Sequence, residues 1–323
     1  MNDTAPACST LGRQPSDKCV LRRLLQVATI TNLRITAGLN RLFEVDLIES
    51  SQFYQDTALV ADATGLWQGQ ISADWNIGDN PNGGYLVAVA LGAVARLTPE
   101  HPDPLSVTTH FLRPGVPGAA CEVKVELLRR GRSLTTARAT LTQNGKTRLE
   151  VLTAFGDLAD SATAAQTGDK SVTLAPPNLP PPQACPERSG AAQGVDLPIL
   201  ERVEIRVNPA NAPAGETAAG SGRAEMSGWI RLRDQTPTNS IAAVTFTDAF
   251  PPALFGLLGV IGWVPTIELT VHVRRRPTTS WLQGRFVTDD LTGARMIESG
   301  ALWDENGALI AQSRQLGLLL NTG

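Results

Sequence analysis

An internal repeat restricts this chain more than any other feature, because a duplicated sequence builds two copies of one folding unit. Trp67 in WQGQISADW and Trp229 in WIRLRDQTP stand 162 residues apart, as do Asn144-Gly145 in LTQNGKTRLEVLTAFG and Asn306-Gly307 in LWDENGALIAQSRQLGLL. Pro114, closing SVTTHFLRP, and Pro277, closing IELTVHVRRRP, are 163 apart. Each Asn-Gly lies between apolar-rich runs, the pattern of a type I′ hairpin whose two central residues take positive φ. Each half is therefore predicted to end in a β-hairpin.

Upstream of each hairpin runs an alternating strand, with Val107, Thr109 and Phe111 on one face in the first half and Ile267, Leu269, Val271 and Val273 in the second. Farther upstream lies a helix. The first spans Gly84–Leu97, where Leu86, Ala90, Leu91, Ala93 and Val94 form an apolar stripe at spacings of three and four. So apolar a helix is expected to be wrapped on several sides by sheet. The second runs from Ser240 to about Phe250 and is stopped by Pro251-Pro252, after which a new turn can begin. Both halves thus read as strand, helix, then antiparallel strands.

Four segments follow: an N-terminal extension (1–50), a first unit (51–157), a Pro-rich linker (158–199) expected to be extended or disordered, and a second unit (200–323). Residues 20–43 carry Arg22, Arg23, Arg34 and Arg41 without one acid. That pattern reads either as a mitochondrial presequence within residues 1–43 or as an extension the fold does not need.

Composition excludes several classes. Lys and Arg total 28 against 31 Asp and Glu, a net charge of -3, so there is no global field to hold nucleic acid. The four cysteines lack a C-x2-C pair and the three histidines lie far apart, which argues against a structural metal or a disulfide framework. The most apolar stretch, Ala253 to Val264, falls well short of the roughly 20 residues of a membrane span. A cytoplasmic location is the expectation, or a mitochondrial one if the leader acts as a presequence. No G-x-S-x-G elbow supports a serine hydrolase.

NPNGGYLVAVALGAV, THFLRPG and ELLRRGRSLTTARATLTQNGK, in that order and spacing, resemble the acyl-CoA thioesterase II family. The resemblance covers about residues 52–157 and 201–320. It implies an α+β fold, a double hotdog of two tandem units, each with a long helix wrapped by an antiparallel sheet. It also implies hydrolysis of fatty acyl-CoA, the expected small-molecule partner, to free acid and CoA with neither metal nor cofactor. The family's catalytic Asp, Thr and Gln, which hold a water, fall on Asp248 of FTDAFPPAL, Thr266 of VPTIEL and Gln315 of LIAQSRQLGLL. Where the family often continues Ile-Asp-His-Ser after the Thr, this chain has Ile267, Glu268, Leu269 and Thr270. Thr270, four residues on, shares a strand face with Thr266 in a regular strand and is an alternative hydroxyl; Gln312 falls on the face opposite Gln315.

The residue types suit the chemistry. A carboxylate removes a proton from water, while Thr and Gln aim that water. Gly83 and Gly84, opening the first helix, are the expected substrate contact, since a ligand can approach a glycine backbone closely and the helix N-terminus favours negative charge. Asp248 falls near a helix C-terminus, where the macrodipole disfavours an acid, so its placement there calls for a reason. Shifting positions 248 and 315 back by 162 lands on Leu86 and Thr153, which implies one active site per chain. Arg113, Arg129, Arg130 and Arg132 are candidates for the CoA phosphates or simply a solvated rim. His110 reads as a structural residue, and Phe111, Phe250, Phe255 and Leu258 are expected to set pocket depth. After Asp248 no histidine occurs until His272, against the Asp-His pairing of hotdog hydratases. The competing function is a non-catalytic acyl-CoA or lipid-binding double hotdog. A homo-oligomer is left open, because the pairing of units is already internal.

Overall fold

A computed structural model describes residues 51–158, 172–191, 194–211, 221–259 and 264–320; the leader lies outside them. The chain runs α1 (Gln52–Asp56), β1 (Val60–Ala61), β2 (Trp67–Gln70), β3 (Asn76–Ile77), β4 (Asn80–Pro81), α2 (Gly83–Leu97), β5 (Asp103–Phe111), β6 (Ala120–Arg130), β7 (Thr135–Gln143) and β8 (Lys146–Gly156). It continues through β9 (Val203–Val207), β10 (Glu225–Leu232), α3 (Ser240–Phe246), α4 (Phe255–Leu258), β11 (Thr266–Val273), β12 (Leu282–Thr292), β13 (Arg295–Asp304) and β14 (Leu309–Leu318). Twelve strands form one antiparallel sheet in the order β1-β2-β6-β7-β8-β5-β11-β14-β13-β12-β10-β9. This is the double hotdog the sequence predicts, and β5 against β11 is the seam between its halves.

The seam displays the duplication. Thr108 pairs directly with Thr270, their hydroxyls 3.1 Å apart and their positions 162 residues apart, so a local two-fold axis passes between them. The inward faces of both strands, Val107 and Thr109 against Leu269 and Val271, are fully buried. α2 is buried on nearly every side from Gly84 to Leu91 and again at Ala93 and Val94, as its all-round apolar character requires.

The repeat is less regular than sequence spacing suggests. Both main helices start on an asparagine whose side chain accepts from a backbone N–H two residues into the helix, Asn82 from Tyr85 and Asn239 from Ala242. These caps are 157 residues apart (239 less 82), so five extra residues separate helix and seam strand in the second half. Counted from the caps, the counterpart of Asp248 is Leu91 rather than Leu86. α3 ends at Phe246, earlier than expected, and α4 is the new turn that begins after Pro251-Pro252.

The first Asn-Gly forms the expected two-residue hairpin, with φ of 52° at Asn144 and 68° at Gly145. The second does not: only Gly307 has positive φ, and the Asp304 carboxylate caps the turn by accepting from the N–H groups of Asn306 and Ala308. Of the two repeat-marking tryptophans, Trp67 joins the main core, whereas Trp229 packs with Cys185 and Trp281 and donates its indole N–H to the Pro180 carbonyl at 2.8 Å. In the later part of the linker, 172–191, Pro182–Ala184 form a 3₁₀ turn and Cys185 and Arg188 are buried, while Trp303 likewise donates its indole N–H to the Leu174 carbonyl.

Candidate active site

A cavity of about 350 Å³ opens where the halves meet, within the size range of small-molecule sites. Its walls include Leu86, Phe111, Phe250, Phe255 and Phe286, while Leu258 does not line it and is 43% exposed. Asp248, Thr266 and Gln315 all line it, each from a different element.

Asp248 follows the C-terminal end of α3, where an acid is electrostatically disfavoured. The compensation comes from the other half. The N–H of Gly84 donates to Asp248 Oδ2 at 2.8 Å, and Asn82 Nδ2 donates to the same oxygen at 3.1 Å and to the Asp248 carbonyl at 2.7 Å. The carboxylate therefore caps the positive end of α2. Burial nevertheless pushes its pKa up from 3.8 to about 6, against the opposing pull of the hydrogen bonds from Gly84, Thr266 and Asn82.

This arrangement constrains both glycines. The amide of Gly84 is committed to Asp248, and the residue is enclosed between helices: a Cβ there would lie 2.8 Å from the Thr245 carbonyl oxygen. Gly83 does line the cavity, but a Cβ on it would meet Asp248 Oδ2 at 2.8 Å and the Phe111 ring at 3.0 Å. Both positions require glycine so that the acid can reach the helix end. Gly84 thus supports Asp248 through its amide, and of the two glycines it is Gly83 that lines the cavity.

Strand register places the other two residues. Leu269 pairs with Gln315 across β11 and β14, and Gln315 pairs with Glu298 across β14 and β13, so all three side chains share one sheet face. In a regular strand Thr266 would face the opposite way. A β-bulge between Thr266 and Glu268 shifts the register by one, pairs Thr266 with Gly317, and turns its side chain to the Gln315 face. Its hydroxyl lies 3.5 Å from Asp248 Oδ1, long for a hydrogen bond. Thr270, beyond the bulge, stays on the outer face with the Thr108 and Glu268 side chains, and Gln312 lies there too.

Of the other candidates, His110 is exposed on the face away from the cavity. Arg113 lines the cavity. Arg130 instead pairs with Glu100 at 3.1 Å and donates to the Leu97 carbonyl, at the opposite end of α2, about 20 Å from Gly83 by helix rise. Arg129 and Arg132 accompany it on the adjoining strand end and turn, so of these four arginines Arg113 is the one that lines the cavity.

Three site residues escaped sequence reasoning. Asn82 was legible as an N-cap, being an asparagine immediately before a helical stripe. Glu298 interrupts the inward alternation of Met296, Gly300 and Leu302 on β13. Its Oε2 accepts from Ala253 N–H at 2.7 Å and its Oε1 from Gln315 Nε2 at 3.2 Å. Burial, opposed by the Ala253 bond and reinforced by the charge of Asp248, pushes its pKa up to about 7. Arg188, buried in the wall, donates to the Ala249 carbonyl at 2.7 Å; nothing in its Pro-rich neighbourhood signalled it.

Comparison with known proteins adds an independent observation. The acyl-CoA thioesterase N-terminal domain model matches residues 71–159, and the acyl-CoA thioesterase C-terminal domain model matches residues 178–319. Rv0499 of Mycobacterium tuberculosis, itself uncharacterised, is 24% identical over 287 residues, covering 79% of this chain and 91% of that protein. Among solved structures, a protein assigned as a thioesterase II from Thermobifida fusca is 28% identical with a TM-score of 0.71, covering 84% of this chain and 98% of its own. A hot dog fold protein from Alicyclobacillus acidocaldarius (22% identity, 85% and 100% coverage, TM-score 0.71) shares the fold. So does the acyl-CoA thioesterase II TesB2 of Mycobacterium marinum (20% identity, 84% and 99% coverage, TM-score 0.62). Among the described residues, no helix is long and apolar enough to cross a membrane.

Proposed function

Because the chain belongs to the acyl-CoA thioesterase family, we propose that it hydrolyses fatty acyl-CoA to free fatty acid and CoA, using a water held by Asp248, Thr266 and Gln315 as nucleophile. The observation that carries this reading is convergence. Three residues distant in sequence, from the end of α3, the bulge of β11 and the middle of β14, line one cavity, and the acid among them is mostly buried.

In the proposed reaction the water oxygen attacks the thioester carbonyl carbon while Asp248 takes a proton from it. Asp248 remains poised for this task, because a base whose pKa approaches the working pH combines ionisation with proton affinity. Thr266 and Gln315 fix the direction of the water, which lowers the entropic part of the barrier. Collapse of the tetrahedral intermediate breaks the carbon–sulfur bond, and the proton returns to the CoA sulfur. In this reading the apolar wall of Leu86, Phe111, Phe250 and Phe286 receives the acyl chain, and Arg113, which lines the cavity and donates to the Thr147 carbonyl, meets a CoA phosphate.

The test is release of CoA thiol from short, medium and long acyl-CoA by the purified chain. Turnover in the parent and its loss in Asp248→Asn is the expected pair of results. Acyl-CoA binding without thiol release at any chain length would replace this reading with the lipid-binding one.

A further inference from the structure

We propose that Glu298 is a positioning residue that holds the Gln315 amide with its oxygen, rather than its nitrogen, available to the nucleophilic water; the inference rests on the role given to Gln315 above. Both side chains line the cavity and pair across β13 and β14. An ionised carboxylate only accepts hydrogen bonds, and a primary amide presents two donors at one end and an acceptor at the other. Here both carboxylate oxygens are engaged by donors, Oε2 by Ala253 N–H at 2.7 Å and Oε1 by Gln315 Nε2 at 3.2 Å. Above pH 7, where Glu298 is ionised, that double acceptance leaves the amide no choice of orientation.

The consequence falls on the other end of the amide. Gln315 Oε1 is buried and has no hydrogen-bond donor among the described residues. A buried carbonyl oxygen without a partner costs about 1–3 kcal/mol unless a ligand or water satisfies it. A water that donates one hydrogen to Gln315 Oε1 and the other to Asp248 has its lone pair directed elsewhere, toward an electrophile. Glu298 itself touches neither water nor substrate in this scheme. Its partner on the remaining side, Ala253, opens the turn that leads into α4, so the carboxylate is anchored by backbone and cannot follow the amide if that rotates.

The test is Glu298→Gln in the full chain, assayed at pH 8 alongside Gln315→Ala. A glutamine accepts from Ala253 N–H through its oxygen and turns its NH2 toward Gln315, which forces the Gln315 amide to flip. The expected result is a fall in kcat of at least tenfold across the plateau of the pH profile, with KM within twofold and Tm not lowered. An unchanged plateau kcat in Glu298→Gln beside an inactive Gln315→Ala would overturn the inference and leave the proposed function standing. A change confined to the acid limb of the profile would also overturn it, since that signals only relief of charge repulsion with Asp248. Full activity in Gln315→Ala would instead remove Gln315 from the mechanism, and this inference with it.

Discussion

Asp248→Asn should make the protein more stable at neutral pH while stopping turnover. In the folded chain the carboxyl pKa is pushed from 3.8 to about 6, chiefly by burial. Two pH units correspond to about 3 kcal/mol. The side chain is only partly enclosed, facing the cavity, so about 2 kcal/mol is the reasonable expectation once solvent screening is allowed for. The sign follows from linkage: a folded-state pKa above the unfolded value means that the stability contributed by the protonated group is complete below about pH 4 and is lost as pH rises through 6. Asparagine keeps the oxygen that accepts from Gly84 and Asn82 and carries no charge at any pH. It should therefore gain about 2 kcal/mol over the parent at pH 8, or about 4–8 °C in Tm, with the gap closing to about 0.5 kcal/mol near pH 4. Thermal and urea unfolding of both proteins at pH 4, 6 and 8 measures it. A variant less stable than its parent at pH 8, or a gap independent of pH, would refute the desolvation argument.

Other consequences are open to measurement. Turnover should rise with pH through about 6 as Asp248 ionises and level off above 7, with apparent values that belong to the Asp248–Glu298 pair; a flat kcat profile between pH 5 and 8 would exclude a carboxylate base. Thr266→Val should lower kcat by tenfold or more, whereas Thr270→Val, on the outer face, should change it by less than twofold; the reverse order would show that the bulge does not select the hydroxyl. Gly84→Ala puts a methyl group 2.8 Å from the Thr245 carbonyl and should cost about 1–3 kcal/mol in urea unfolding, together with most of the activity, because helix separation draws the amide away from Asp248. A stable, fully active alanine variant would deny that close approach.

The fold was legible because duplication and alternation are local patterns. Asn144-Gly145 specified its own turn, and the apolar circumference of α2 specified that sheet surrounds it. The second Asn-Gly misled for a physical reason: Asp304 offers a carboxylate to the turn amides, and a side-chain cap competes successfully with the two-residue geometry. The two tryptophans mark the repeat without sharing an environment, Trp67 joining the main core and Trp229 packing against Cys185 and Trp281.

The sequence by itself determined the residue types of the candidate site and their order along the chain, and showed an acid at a helix C-terminus whose placement lacks a local reason. Tertiary structure alone decided what that partner is and which hydroxyl shares its cavity. The α2 amide lies 164 residues from Asp248, and no spacing rule reaches across two folding units to it. The bulge that turns Thr266 inward exists only in the pairing of β11 with β14, because register is a property of two strands together. Glu298 carries the same lesson: on its own strand it is an acid in an apolar row, and only the strand beside it supplies the amide it holds.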